Sequence, residues 1–433
     1  MKRFKYTHVF TLDMISKDRL KQTLAEQREA ILRKPLGVKR TVLELIEKKA
    51  KLPHIVVLTG LRRSGKSTLL RQIIKEYYHD NDFFYINFED ERLNNFKAED
   101  FNLIYESLLE LFGEKKTFFI DEIQNVTNFQ NFVRRFYDLG FKFFITGSSA
   151  KLLSKEIGTK LTGRHVDITV RPFSFKEFLL FHNFQLTEED LFKTVFRVKL
   201  KTHFEKYLTH GGMPEYVQYE DMEILMRTYE DIVIKDIVAR YNVENIPELK
   251  QLYQYLITNF SQRFSYNSLK KFIEIKSSNT IKKYIDYFEE TYFIKQVNKF
   301  DYGLKKQIIN DKKVYIVDNG FISNISANLT KDKGWLLENL VFIELTAKGK
   351  VFYYSDKLEC DFLLVDNKKV KKEIQVCWEL NLKNKDRELA GLLEAMNFFK
   401  IKGGIVLTND QDDEILVDGN KIIVKPVWKW LLE

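Results

Sequence analysis

Residues 56–70, VVLTGLRRSGKSTLL, decide the fold of the first half of the chain. An apolar run of strand length leads into a glycine-rich loop that matches G-x-x-x-x-G-K-[ST], and the residues after it begin a helix. Small residues let such a loop wrap an anion, so that backbone N–H groups and the helix N-terminus point at phosphate oxygens. The stretch therefore predicts a P-loop for a nucleoside triphosphate, against the alternative of a glycine-rich turn with a chance Lys-Ser pair.

Within this loop each residue type has an expected task. Gly60 and Gly65 supply the curvature, Lys66 neutralises the β- and γ-phosphates, and the Ser67 hydroxyl completes the shell of a Mg²⁺ ion. ATP and Mg²⁺ are the expected cofactors. The predicted contact residues are Gly60, Leu61, Arg62, Arg63, Ser64, Gly65, Lys66, Ser67 and Thr68.

A second motif, TFFIDEIQ at residues 117–124, places two acids at the end of an apolar strand. Asp121 is expected to hold Mg²⁺ through water. A second carboxylate directly after it can polarise a water for attack on the γ-phosphate, so Glu122 is the predicted general base. The alternative is a solvated acidic pair at a strand end.

Short apolar runs alternate with helical stretches from His54 to Val170, which indicates an α/β fold with a parallel sheet covered on both faces. The predicted division is a helical arm at 1–50, an ATPase core at 51–172, a helical lid at 173–241, a winged helix-turn-helix at 242–312 and a strand-rich domain at 313–433.

The composition indicates the cellular compartment of the protein and the charge of its partners. No signal peptide and no apolar run of membrane-spanning length is visible, and two cysteines, Cys360 and Cys377, fit a reducing cytoplasm. The net charge is +9. The basic excess is concentrated at residues 240–310, which favours contact with DNA phosphates, although an evenly lysine-rich surface has the same composition.

The segments GLRRSGKST, FIDEIQ, ITGSSAKLLS, LTGR, PFSFKEF and GGMPEYV, with the strand-rich tail, resemble the predicted AAA-type ATPases of the additional-glutamate type that carry a DUF4143 C-terminal region. The resemblance implies an ATPase core, a winged-helix unit and a restriction-endonuclease-like domain. It also implies that Gly212 and Pro214 contact the base or sugar of the nucleotide.

Two further positions have open roles. Ser148 either senses the γ-phosphate and orients water or, with Ser149, caps the next helix. The resemblance to AAA-like ATPases implies that Arg164 stabilises charge at a neighbouring subunit's nucleotide, which requires a homo-oligomer. The alternative for Arg164 is a local salt bridge.

Residues 265–300 carry the helix-turn-helix pattern, because Ile281, Tyr284, Ile285 and Phe288 follow the spacing of one buried helix face. The opposite face is expected to present Ser278, Asn279, Lys282 and Lys283 to a DNA groove. A helix of this kind can instead serve as a packing module.

The tail contains an incomplete nuclease signature. Glu338, Asp361 and the strand EIQVCWEL echo the order D…(D/E)-x-K, in which carboxylates hold Mg²⁺ and a lysine activates water. If Glu373 is the second acid, Gln375 takes the position of the lysine. If the strand is aligned two residues later, Cys377 takes that position. Neither is an ammonium group, so we expect an inactive nuclease-like fold.

Three functions therefore remain open at this point. The first is an ATP-driven switch or motor acting on DNA, and the second is an ATP-regulated, Mg²⁺-dependent DNA nuclease. The third is a nucleotide-gated scaffold that binds a protein partner.

Overall fold

The computed structural model describes residues 15–433 except 79–81, 95, 98, 99, 149–162, 186, 274, 276 and 327–332. Within the described ranges, no helix has both the length and the apolar character required to cross a lipid bilayer. The chain divides into two compact units. The first comprises the described residues of Met1–Thr59 and Lys66–Val170, and the second those of Gly60–Gly65 and Arg171–Glu433.

A five-stranded parallel sheet forms the centre of the first unit, in the order β2-β3-β4-β1-β5. Every residue of β1 and of β3 is buried, as expected for continuous apolar strands covered on both faces. The predicted α/β fold with a parallel sheet is confirmed. The strands are β1 (Ile55–Thr59), β2 (Phe84–Asn87), β3 (Thr117–Asp121), β4 (Lys142–Gly147) and β5 (His165–Thr169).

Helices cover both faces of this sheet and build two separate apolar clusters. Neighbouring phenylalanines alternate between the faces, so that Phe118 stacks on Phe143 in one cluster and Phe119 on Phe144 in the other. The helices are α1 (Lys17–Arg33), α2 (Leu43–Ala50), α3 (Lys66–Tyr77), α4 (Phe101–Phe112) and α5 (Gln130–Asp138), with 3₁₀ turns at Glu91–Leu93 and Ile123–Asn125.

Helix α1 is part of this core, whereas the sequence predicted a separate arm. Its side chains Leu20 and Leu24 are completely buried in one cluster, and Ile31 is buried in the other. Ser16 caps the helix by accepting a hydrogen bond from the Arg19 N–H. The apolar spacing that made the segment amphipathic therefore serves packing on the sheet.

The second unit begins with a helical region. It contains α6 (Phe175–Phe181), a 3₁₀ turn (Glu188–Phe192), α7 (Thr194–His210), α8 (Pro214–Tyr219), α9 (Met222–Asp231), a π-helical segment (Ile232–Val238) and α10 (Ala239–Tyr241). Ser174 and Glu177 form a reciprocal capping box at the start of α6.

A smaller group of elements follows, built on an antiparallel sheet in the order β6-β8-β7. Strand β8 had been assigned by sequence to the C-terminal domain, but it pairs with β6 and β7, so the predicted boundary at 312 lies at the start of this strand. The elements are α11 (Ile246–Thr258), β6 (Arg263–Phe264), α12 (Tyr266–Phe272), α13 (Ser278–Glu290), β7 (Ile294–Asn298), α14 (Leu304–Ile309) and β8 (Lys312–Ile316).

The C-terminal part contains a six-stranded mixed sheet in the order β13-β14-β12-β11-β10-β9. Cys360 and Cys377 are buried in it as free thiols. Its elements are α15 (Asn319–Ile325), α16 (Lys333–Lys348), β9 (Lys350–Ser355), β10 (Glu359–Asp366), β11 (Lys369–Val376), α17 (Lys385–Phe399), β12 (Gly403–Thr408), β13 (Asp413–Val417), β14 (Asn420–Pro426) and α18 (Val427–Trp430).

Candidate active site

The glycine-rich loop joins the end of β1 to the start of α3. Gly60 has φ 149° and Gly65 has φ 96°, both in the region that favours glycine. The loop also holds Arg63 at φ 62°, and the Ser64 N–H donates a 3.2 Å hydrogen bond to the Leu61 carbonyl. The loop therefore makes the tight turn that the motif requires, and its glycines are there for backbone geometry.

Lys66 begins helix α3 with only 4% of its side chain exposed. Its Nζ lies 3.6 Å from Oε1 of Glu122, which extends from the end of β3. The predicted phosphate-binding ammonium and the predicted general base are thus brought together, although 55 residues separate them in the chain. The next residue, Ser67, is half-buried on the same helix.

Asp121 is buried at the end of β3 and receives several hydrogen bonds. Thr146 on the adjacent strand donates its hydroxyl to Oδ1, Tyr85 donates to Oδ2 over 3.3 Å, and the Ser67 side chain is also hydrogen-bonded to the carboxylate. Burial and the nearby Glu122 charge raise the pKa of Asp121, and the two short hydroxyl side chains oppose that rise. A hydroxyl and a carboxylate oxygen side by side are suitable ligands for Mg²⁺, so these residues fit the expected ion.

Glu122 has a left-handed backbone, with φ 51° and ψ 48°. Such a conformation is uncommon for a residue with a side chain and costs about 1–3 kcal/mol. The Glu122 N–H donates a 2.9 Å hydrogen bond to Thr146 Oγ1, and the Gln124 amide donates to the carboxylate. The turn therefore directs Glu122 away from the path of an extended strand while its neighbours hold it in place.

Ser148 lies at the end of β4 and is 1% exposed. Its Oγ accepts a hydrogen bond of 3.4 Å from Gln124 Nε2, the same amide that contacts Glu122. The structure thus connects Ser148 to the predicted base through one side chain. The alternative of a helix cap that includes Ser149 lies outside the described residues.

Comparison with known proteins agrees with this geometry. A family model described as AAA domain matches residues 52–179. The uncharacterized protein MJ1544 of Methanocaldococcus jannaschii is 38% identical over 97% of this chain and 96% of its own length. An uncharacterized protein of Haemophilus influenzae is 31% identical over 88% of this chain and 94% of its own. This chain belongs to their family, and it carries an AAA domain of the P-loop ATPase type.

A second family model, described as Domain of unknown function (DUF8612), matches residues 201–332. It occupies part of the region in which the resemblance had named DUF4143, and a DUF4143 match is not shown. Among solved structures, AMPPCP-bound DnaA from Aquifex aeolicus is similar with 15% identity and a TM-score of 0.27, covering 58% of this chain and 88% of that chain. A STAND protein with a tetratricopeptide repeat sensor from Pyrococcus horikoshii has 13% identity and a TM-score of 0.26, covering 73% and 46%.

Arg62 and Arg63 of the loop belong to the second unit and have carboxylate partners within it. Arg62 forms a two-pronged pair with Asp236, with Nε–Oδ2 at 2.9 Å and Nη2–Oδ1 at 3.2 Å. Arg63 lies 3.0 Å from Glu215 and 3.4 Å from Asp231. Arg62 and Arg63 were predicted among the nucleotide-contact residues of the loop, and the structure shows their guanidinium groups bonded to acids.

Arg164 lies immediately before β5 of the AAA domain. Its Nη1 is 2.7 Å from Asp138 Oδ1, and its guanidinium lies 5.5 Å from the centre of the Tyr137 ring. The structure therefore contains the local salt bridge that the sequence left open as the alternative. Both side chains of the pair are about 40–50% exposed, so water screens it and it is worth at most about 1 kcal/mol.

Gly212 and Pro214, which the resemblance assigned to the nucleotide, have structural tasks in the second unit. The Gly212 N–H donates to Asp318 Oδ2 over 2.6 Å, and its carbonyl accepts from the Phe173 N–H over 2.7 Å. A Cβ at Gly212 would lie 2.2 Å from the Phe173 carbonyl oxygen. Pro214 begins helix α8, a position that suits its fixed φ. Both polar backbone groups of Gly212 are thus already used.

Helix α13 carries the residues that the sequence predicted to contact DNA. Its apolar face is buried through Ile281, Tyr284, Ile285 and Phe288. Asn279, Lys282 and Lys283 are exposed. Ser278 is half-buried, and its hydroxyl donates to Asn267 Oδ1 over 2.8 Å.

The nuclease-like acids of the C-terminal part surround a lysine that sequence reasoning missed. Lys313, on β8, has Nζ 3.0 Å from Glu338 Oε1, 2.6 Å from Glu359 Oε1 and 3.3 Å from Asp361 Oδ1. Burial and the Glu338 charge raise the pKa of Asp361 to about 8. The sequence offered no signal for Lys313, because it precedes Asp361 by 48 residues and therefore stands outside the order D…(D/E)-x-K, in which the lysine follows the acids.

Glu373 does not join this cluster, which corrects the expected order of acids. Neither of its carboxylate oxygens has a hydrogen-bond partner among the described residues, and it is completely buried. Gln375 is instead the residue beside Asp361, since it accepts from the Asp361 N–H over 3.2 Å and donates to Glu388 over 2.8 Å. Within the described ranges, no group of three or more His, Cys, Asp or Glu side chains is arranged to hold a metal ion.

Proposed function

We propose that this protein binds Mg-ATP at its AAA domain and hydrolyses it. The observation that carries the proposal is the 3.6 Å approach of Lys66 Nζ to Glu122 Oε1 beside the buried Asp121. These are the groups that phosphoryl transfer to water requires, namely a cation for the phosphates, a metal-holding carboxylate and a base. The AAA family model over residues 52–179 supports it.

Each residue has a defined task in this mechanism. The loop N–H groups and Lys66 bind the β- and γ-phosphates, while Ser67 and Asp121 hold Mg²⁺, which offsets charge on the phosphate oxygens. Glu122 accepts a proton from the attacking water. Gln124 contacts both Glu122 and Ser148, so it orients the base relative to the serine. On ATP binding, Lys66 leaves the carboxylate of Glu122 and contacts the phosphates.

Nucleotide binding and turnover by single-residue variants test the proposal. Lys66→Ala should abolish ATP binding, with Lys75→Ala, an exposed lysine of the same helix, as the control. Glu122→Gln should keep ATP bound and slow its hydrolysis about 10²–10⁴-fold, as expected when a general base is removed. The exposed Glu114→Gln is its control. Tight ATP binding by Lys66→Ala would contradict the assignment.

We further propose that the nucleotide state is coupled to DNA binding through the segment from α11 to β8. Its elements follow in the order helix, strand, helix, helix, strand, helix, strand, so the helix pair and the two later strands of a winged helix-turn-helix are present, with the short helix α14 between those strands. The second helix of the pair α12 and α13 has a buried apolar face and exposes Asn279, Lys282 and Lys283. These features support a DNA-contacting helix over a purely packing one.

Gel shifts over a salt series, with and without ATP, test this coupling. Replacing both Lys282 and Lys283 by alanine should lower the slope of log affinity against log salt by about 2, because each lysine that neutralises a phosphate releases about one counterion. The control is Lys368→Ala with Lys369→Ala, two exposed lysines at the end of the β10–β11 turn and the start of β11. A complete lack of salt-sensitive DNA affinity would favour a nucleotide-gated scaffold that binds another protein.

An ATP-regulated nuclease is the second candidate, favoured by one observation, the convergence of Lys313 on Glu338, Glu359 and Asp361. It predicts Mg²⁺-dependent nicking of plasmid DNA that disappears in Asp361→Ala and persists in Glu122→Gln. The absence of nicking by the unaltered protein would reject it.

We also propose that Arg164 acts on the nucleotide of a neighbouring copy, for which it must leave Asp138. Mixing inactive Arg164→Ala with inactive Lys66→Ala should then restore turnover, because some mixed interfaces combine an intact loop with an intact arginine. A mixture that stays inactive while both variants assemble would reject this role.

A further inference from the structure

A cavity of about 590 Å³ in the first unit opens beside Ser67 and Asp121. A second wall comes from Gln27 and its neighbours in the C-terminal half of α1, from Lys34 directly after this helix, and from Asn87 at the end of β2 with residues that follow it. The AAA family model begins at residue 52, so it covers no part of α1. A helix outside the matched region therefore lines a space directly next to the two residues that fit Mg²⁺.

The first half of this wall is fixed to the sheet by Gln27. Its amide donates to the Asn87 carbonyl and to Asp90 Oδ2, each over 3.0 Å, and its Oε1 accepts from the Asn87 N–H over 2.9 Å. Gln27 is buried, and all of these groups lie at the end of β2. The helix is thereby held at one position relative to the strand.

The chain after α1 is fixed to the helix that begins with Lys66. Gln72 of α3 donates to the carbonyls of Leu36 and Val38, over 2.5 and 2.6 Å, and accepts from the Arg40 N–H over 3.2 Å. Gly37 packs against Thr68, whose methyl would be 3.7 Å from an added Cβ. Lys34 lies between these two points of attachment, so its backbone position relative to Ser67 is well defined.

Lys34 is the cation of this wall without an ion pair among the described residues. Arg33 pairs with Glu29, and Arg92 pairs with Asp90 and Glu26. Lys34, Ser67 and Asp121 line the same cavity. An unengaged ammonium in a cavity shared with Ser67 and Asp121 is placed to meet an anion there.

We propose that Lys34 binds the γ-phosphate of ATP from the side opposite the loop. The proposal rests on the proposed ATPase function and adds a residue to it. The terminal phosphate carries the most negative charge of the triphosphate, and a second cation beside Lys66 offsets the part that Mg²⁺ does not. ADP lacks this group, so Lys34 distinguishes ATP from ADP.

Binding of Mg-ATP and Mg-ADP to the full chain tests the inference. Lys34→Gln should weaken Mg-ATP about 10-fold, the loss expected for a charged hydrogen bond, and should leave Mg-ADP nearly unchanged. Lys34→Arg should restore most of the difference because it keeps the charge. Arg33→Gln is the matched control, since Arg33 is the adjacent, exposed residue with its own partner, Glu29.

The possible binding results separate the role of Lys34 from the proposed ATPase function. Equal weakening of both nucleotides, or no weakening of either, overturns the role of Lys34. A thermal unfolding curve that matches the unaltered protein excludes a loss of fold as the cause, and the ADP measurement provides the same check within each sample. If Lys66→Ala still binds ATP tightly, the proposed function fails. If Lys66→Ala no longer binds ATP while Lys34→Gln binds it as tightly as the unaltered protein, only the role of Lys34 is rejected.

Discussion

The ammonium of Lys313 lies 2.6 Å from the carboxylate of Glu359, and Lys313 has only 4% of its side chain exposed. Glu338 and Asp361 approach the same nitrogen from α16 and β10. A buried ammonium surrounded by three acids satisfies groups that would each be costly to bury alone. This lysine therefore holds together elements of the three-stranded sheet and of the C-terminal sheet.

Replacing Lys313 by methionine should destabilise the second unit by about 3–5 kcal/mol, because it leaves buried carboxylates without their counter-ion. Lys357→Met is the control, since Lys357 is an exposed lysine that lines one cavity together with Lys313 and Asp361. Urea unfolding followed by tryptophan fluorescence measures the effect, and all four tryptophans of the chain lie at or beyond residue 335. A loss no larger than that of the control would contradict the role.

Asp121→Asn should abolish Mg²⁺-dependent turnover and yet stabilise the first unit in the absence of nucleotide. Burial raises the pKa of Asp121, so at neutral pH the folded state bears the cost of an ionised carboxylate. We expect the Tm of the variant to be higher than that of the unaltered protein. Because the first unit contains no tryptophan, calorimetry in EDTA is the suitable measurement. A lower Tm for the variant would show that the hydrogen bonds of Asp121 outweigh its charge.

Gly212→Ala should destabilise the second unit by at least about 2 kcal/mol, since the new methyl would overlap the Phe173 backbone and force it to shift. The matched control is Gly403→Ala, because a Cβ at Gly403 meets nothing within 4 Å. Tryptophan fluorescence in urea compares the two variants. An ATP affinity that changes while stability does not would instead restore Gly212 to the nucleotide site.

Glu373 should make the second unit less stable as pH rises. Burial raises its pKa from 4.5 to about 7, so the folded state holds a proton that the unfolded state has lost between these values. The contribution of Glu373 to the free energy of unfolding is therefore fully present below pH 4.5. It is lost as pH increases through about 7, at up to about 1.4 kcal/mol per pH unit.

Unfolding free energies at several pH values compare Glu373→Met with the unaltered protein. The advantage of the variant should grow across this window and become constant above it. The raised pKa values of Asp318 and Asp361 act in the same direction in both proteins, so the difference between them isolates Glu373. A difference that is independent of pH would rule out titration of this carboxyl.

The sequence alone determined the parts of this protein that depend on local pattern. Continuous apolar runs specify the buried strands β1 and β3, and the G-x-x-x-x-G-K-S spacing specifies the turn before α3. The acid pair at the end of β3 was predictable because residues at the ends of parallel strands meet at one edge of the sheet.

Only the tertiary structure decided what depends on contacts between distant segments. Hydrogen bonds from Gln27 attach α1 to the end of β2, those from Gln72 attach the chain after α1 to α3, and strand pairing transfers β8 to a different sheet. Lys313 reaches Asp361 across 48 residues, while Glu373, which lies nearer in sequence, faces elsewhere. Hydrophobic periodicity predicts which face of a helix or strand is buried. Which element covers that face depends on the packing of the whole chain.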